Sequence, residues 1–162
     1  MRIEIAEQLA VCAMHASEKH LVDDGKQRKG MYAKVARFGS SIISLGLIPT
    51  VMRFEEDREN KNVNPGKKDG DFRVNDAIFA TLQEFVRSDN KPGLWIPDEQ
   101  LKTLVESSSS LKQLYCGLQN AADYELVKEY SALVCASLKL ALNTYPNSEK
   151  SKTAKGNDEH DG

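Results

Sequence analysis

The sequence has little that advertises chemistry. Its 162 residues include three cysteines and one tryptophan, and neither sign of charge is in large excess: 22 Lys plus Arg stand against 24 Asp plus Glu. Cys12, Cys116 and Cys135 are odd in number and far apart, without C-x-x-C spacing, so they read as small, reduced core residues rather than a disulfide framework. No run approaches the roughly 18 apolar residues of a membrane span. The start lacks the basic-then-apolar order of a signal peptide, so a cytoplasmic protein with no membrane partner is expected. A net charge of −2 argues against a generally basic nucleic-acid coat.

Catalytic patterns are also missing. The chain has no G-x-x-x-x-G-K-[ST], no G-x-G-x-x-G after a strand, no H-E-x-x-H and no G-x-S-x-G. His15 and His20 are five residues apart, about 140° around a helix, and cannot share one metal. His20 with Asp23 is the best metal pair, but a site needs three or four ligands. Glu55, Glu56, Asp57 and Glu59 read as a solvated helix face that opposes the helix dipole and frays the end. No enzyme, metal or cofactor is expected.

What is present is helical spacing. Apolar residues recur every three or four positions almost throughout, and strict alternation is nearly absent, so the expected fold is all-α. The reading is a single compact bundle of about five to six helices over residues 1–146, with a disordered tail over 147–162. Ile5, Leu9, Cys12 and Ala16 share one stripe of a first helix, which Asp23, Asp24 and Gly25 end. Met31, Val35, Phe38, Ile42 and Leu45 then step by 4, 3, 4 and 3, one continuous face. Gly46 closes that helix, and Pro49 sits where a short helix to about Arg58 begins.

A polar loop runs from Asn60 to Gly70, and a helix from Phe72 to Val86 presents Val74, Ile78, Leu82, Phe85 and Val86. After a connector holding Trp95, Asp98 caps a further helix with Leu101, Leu104 and Val105. Four serines, Ser107 to Ser110, interrupt or cap, and the pattern from Leu111 to Tyr145 is helical with a break near Asn120. Its Leu126, Tyr130, Leu133, Val134, Leu138 and Leu142 form a face wide enough to be central. Phe38, Phe54, Phe79, Phe85 and Tyr130 fall at core positions, whereas Tyr32 lies off its stripe and Trp95 in a connector. These two are the candidates for base stacking.

One local asymmetry stands out against the balanced total. Between Lys26 and Arg37 lie five cations, Lys26, Arg28, Lys29, Lys34 and Arg37, and no acid. On a continuous helical wheel Lys26, Lys29, Lys34 and Arg37 fall opposite the apolar stripe, among Ala33, Ala36, Ser40 and Ser41. Small residues between cations let a phosphate backbone or another protein come close. A solubilising surface would usually mix Glu with Lys at i and i+4, and those partners are absent.

The stretch Met31 to Phe54, MYAKVARFGSSIISLGLIPTVMRF, resembles the small-subunit family of type III-B CRISPR effector (Cmr) complexes. The carrying residues are the aromatic-led basic helix, Ile42, the Gly46-Leu47 corner and the short helix ending in Phe54. Tyr130 to Leu142 is similar, more weakly, to the family's last helix. Leu45 stands where that family often has Asn, and Gly39 near where it often has Pro. The resemblance implies a non-catalytic subunit in antiviral defence that stacks in copies of itself beside the backbone and other subunits of the complex. It would help line the groove for CRISPR RNA and target RNA. The small subunit of type III-A complexes is a rival with the same mechanism, and a helical adaptor without nucleic-acid contact is the alternative.

Overall fold

The computed structural model describes residues 3–60, 70–88, 96 and 98–147. Trp95, most of the 60–70 loop and residues 148–162 of the expected 147–162 tail lie outside the described residues, whereas Asn147, the first residue of that tail, is ordered by a bridge to Gln27. Seven helices are present among them, rather than five or six: α1 (Ile3–His20), α2 (Met31–Ser44), α3 (Leu47–Asn60), α4 (Asp71–Arg87), α5 (Glu99–Ser107), α6 (Leu111–Cys116) and α7 (Ala121–Leu142). The all-α expectation holds. The extra helix arises because the Leu111–Tyr145 pattern breaks cleanly: Ser110 caps α6 by accepting from the Gln113 N–H, and Asn120 caps α7 by accepting from that of Asp123. Asp98 caps α5, accepting from the Gln100 N–H.

Helix α4 is the hub, packing against α1, α2, α3, α5, α6 and α7. Its buried face carries Val74, Ala77, Ile78, Leu82, Phe85 and Val86, the stripe that the spacing predicts. Helix α7 closes the other side against α1 and α2 through Val127, Tyr130, Val134, Leu138 and Leu142. Phe38 of α2 meets Phe54 of α3 edge to face, with ring centroids 5.0 Å apart, and both are fully buried. Cys12 and Cys135 are buried, but Cys116 is exposed. In α6 the core positions fall to Leu111, Leu114 and Tyr115, which leaves Cys116 turned outward at the helix end. Phe79 is only partly buried, at the edge of the core.

The α2–α3 corner is built around Gly46, at φ 93°. A side chain there would clash, because a Cβ would stand 2.7 Å from the Tyr124 hydroxyl of α7. That hydroxyl accepts a hydrogen bond from the Leu47 N–H at 2.9 Å, one of the first-turn donors of α3. The corner is therefore tied to the last helix as well as turned by glycine.

The acidic end of α3 departs from the solvated, fraying face expected. Asp57 is buried, 2% exposed, and its two oxygens accept from the Asp71 and Phe72 N–H groups at 2.6 and 3.1 Å. Gly70 precedes α4 and has no side chain to cap it, so a residue of the neighbouring helix does so. Glu55 is likewise engaged, bonded to Arg58 and Asn75. Burial pushes its pKa up, but the hydrogen bonds from Arg58 and Asn75 and the charge of Arg58 outweigh that and hold it below the usual value.

Candidate functional site

The five cations do not share one helix. Asp24 and Gly25 adopt φ 55° and 73°, the pair of left-handed conformations that closes a two-residue hairpin between β1 (Val22–Asp23) and β2 (Lys26–Gln27). Gly30, at φ 72°, then precedes α2. Lys26 therefore lies on a strand and Lys29 in the following turn, and only Lys34 and Arg37 belong to the helix. The continuous wheel from Lys26 is corrected: the D-G turn and the pairing of Gln27 with the C-terminal segment take precedence over helical spacing.

Gln27 fixes the hairpin in place. Its backbone N–H donates to the Pro146 carbonyl at 2.8 Å, and its side-chain amide donates to the carbonyls of Leu142 and Tyr145 at 2.7 and 3.2 Å. The Leu142 carbonyl belongs to the open C-terminal end of α7, where acceptors lack intrahelical donors. Gln27 is buried, so the same residue anchors Lys26 and Arg28 on either side of it to the bundle.

The cations have unequal surroundings. Lys26 and Lys29 are exposed and make no ion pair among the described residues. Arg28 is partly buried, 4.0 Å from Asp23. Lys34 and Arg37 both reach Asp71 at the start of α4, at 3.2 and 3.1 Å. The run has no acid in sequence, yet the fold brings two to it, Asp23 across the hairpin and Asp71 from α4. Arg37 also lies over the Phe54 ring, 5.2 Å from its centroid, so part of its side chain covers the core while its head remains half exposed.

Beside this strip stands a second basic group that helical spacing does not reveal. Arg58 of α3 and Arg73 of α4 lie over the Phe72 ring, 4.5 and 5.2 Å from its centroid. Arg58 is bonded to Glu55 and Asp76. Burial and the nearby Arg28 guanidinium lower the pKa of Arg73. These residues converge only through the α3–α4 packing, across a loop, and no sequence motif joins them.

Among the described residues no group of three or more His, Cys, Asp or Glu side chains could hold a metal ion, and no helix is long and apolar enough to cross a membrane. The suggested pair of His20 and Asp23 is not assembled as a site: Asp23 faces Arg28, and the acid in the surroundings of His20 is Asp76. Burial lowers the pKa of His20, with Asp76 opposing. A neutral His20 is thus favoured by folding. As pH falls through the unfolded value near ~6.5, the unfolded chain takes up the proton first and stability is lost. Chemical denaturation should therefore show a midpoint that falls between pH 7 and 5.5, and H20Q should flatten that slope; an unchanged slope would remove His20 from the account.

The fold and site together define a class, an all-α bundle with an anchored hairpin and a following turn that carry cations at the entry to its second helix. No family model, curated protein or solved structure matches the chain.

Proposed function

We propose that this protein is a non-catalytic small subunit of a type III CRISPR RNA-targeting effector complex, of type III-B by the resemblance of its α2–α3 corner. It stacks in copies beside the backbone subunits and contributes a strip of phosphate contacts to the groove for CRISPR RNA and target RNA. The observation that carries the reading is the pair of exposed lysines on the hairpin and following turn, Lys26 and Lys29, which have no ion-pair partner among the described residues although Asp23 and Asp24 share the hairpin. A backbone fixed by a buried anchor leaves only the lysine side chains to be ordered when a phosphate binds. Exposed apolar residues around the α2–α3 corner, Ile43, Leu45, Ile48 and Met52, support assembly, since contiguous apolar surface marks association sites.

The neutralising contact of Asp71 with Lys34 and Arg37 favours a second reading, an adaptor whose corner meets a protein and whose cations never touch RNA. Affinity-tagged protein recovered from its own cells separates the two. Under the first reading RNA of defined length and repeat-associated backbone proteins co-purify, and K26E/K29E lowers the RNA retained several-fold at low salt, a difference that narrows as salt rises, because fewer phosphate contacts release fewer counterions. Recovery of a protein partner with no RNA would establish the adaptor and end the RNA reading.

A further inference from the structure

The segment after α7, β2 and the start of α2 line an open cleft of about 340 Å³ formed by Gln27, Tyr32, Asn143, Tyr145, Pro146 and Asn147. That volume lies at the small end of ligand pockets, roughly 300–1,000 Å³, which suits one planar heterocycle better than a folded peptide. Tyr32 is 38% exposed although its neighbour Met31 is buried in the core, so a large ring stands at the rim of the cleft without a core role. The side chains of Tyr32, Tyr145 and Asn143 make no hydrogen bond among the described residues, so these three polar groups on its wall are unspent. Its floor is rigid, because the side chain of Gln27 is committed to the Leu142 and Tyr145 carbonyls.

The composition of this wall is that of a base pocket. Aromatic rings offer a face on which any base can stack, and an amide supplies both a donor and an acceptor for a base edge. Its location connects it to the phosphate strip: Lys26 immediately precedes Gln27, and Lys29 lies three residues before Tyr32. The geometry points to a nucleobase subsite, in which an unpaired base of single-stranded RNA stacks on Tyr32 and hydrogen-bonds to Asn143 while Lys26 and Lys29 hold the adjoining phosphates. This rests on the RNA reading above and adds to it a contact with a base as well as with the backbone.

Two labelled oligomers of equal length, a uridine RNA and an abasic ribose-phosphate chain, test the subsite by fluorescence anisotropy on the full chain at low ionic strength. The RNA should bind roughly tenfold more tightly, the usual worth of one stacked base. Y32A should erase that preference and leave abasic affinity unchanged, whereas K26E/K29E should weaken both oligomers alike. Equal affinity of the wild-type chain for the two would overturn the base subsite and leave the phosphate strip standing. Binding of neither would also overturn it, while RNA co-purifying with the native assembly would show that the reading of function survives. Circular dichroism of Y32A distinguishes loss of the ring from loss of the fold; Y32F, which keeps the ring, should retain most of the preference.

Discussion

Replacing Asp57 with alanine should destabilise the protein by about 3 kcal/mol, the scale of two charge-assisted hydrogen bonds to a helix N-terminus. The carboxylate accepts from Asp71 and Phe72 at 2.6 and 3.1 Å and is buried, so water cannot readily replace it. Without it the Asp71 and Phe72 N–H groups lose their acceptors, because Gly70 has no side chain to replace them. For a chain of this size that loss corresponds to a fall in Tm on the order of 10 °C. Because α4 packs against six other helices, the effect should appear as a cooperative shift of the whole transition rather than as local fraying. D57N keeps one acceptor oxygen and should fall between wild type and alanine. A D57A protein that melted with the wild type in urea would mean that the α3–α4 bridge contributes nothing.

The second large effect is expected at the α2–α3 corner. Gly46→Ala forces a Cβ into a positive-φ position and to 2.7 Å from the Tyr124 hydroxyl. Backbone strain of roughly 1–2 kcal/mol adds to the loss of the Leu47 N–H bond, so a total near 3 kcal/mol is expected. The contact with Tyr124 makes this separable. Y124F alone should lose about 1–2 kcal/mol by leaving the Leu47 donor unpaired. In the Y124F background the clashing oxygen is gone, and G46A should cost about 1 kcal/mol less than in wild type. Strict additivity in that double-mutant cycle would show that Tyr124 does not brace the corner.

These two sites also mark how far the chain can be read without coordinates. Gly46 is legible as a helix stop, since the five-residue stripe from Met31 ends there, but its tie to a tyrosine 78 positions later is not. The role of Asp57 is hidden for a physical reason: an acid near a helix C-terminus is unfavourable for its own helix, and only the return of α4 across the loop supplies the positive end that it serves. The apolar faces of α2, α4 and α7 follow from spacing, because burial of a stripe is a local periodic property; Leu45 is the exception in α2, half exposed because the helix ends at Ser44 and the chain turns away at Gly46.

The site was less legible. Lys26, Arg28, Lys29, Lys34 and Arg37 are contiguous in sequence, yet Asp24-Gly25 turns a hairpin through the first of them and Asp71 arrives from another helix to two of them. The D-G dipeptide did carry the hairpin signal, but flanking strands of two residues are too short to show alternation.

Gln27 has a temporal consequence. A ladder of two residues per strand is marginal on its own, and the bonds that hold it run from Gln27 to carbonyls 115 and 118 residues later. During synthesis the early helices can collapse while the hairpin waits for the end of α7 to emerge. The basic surface is thus the last part of the described chain to acquire its shape, so a nascent or truncated polypeptide would carry the lysines without presenting them, and competence for an anionic partner would mark chains already complete through residue 146.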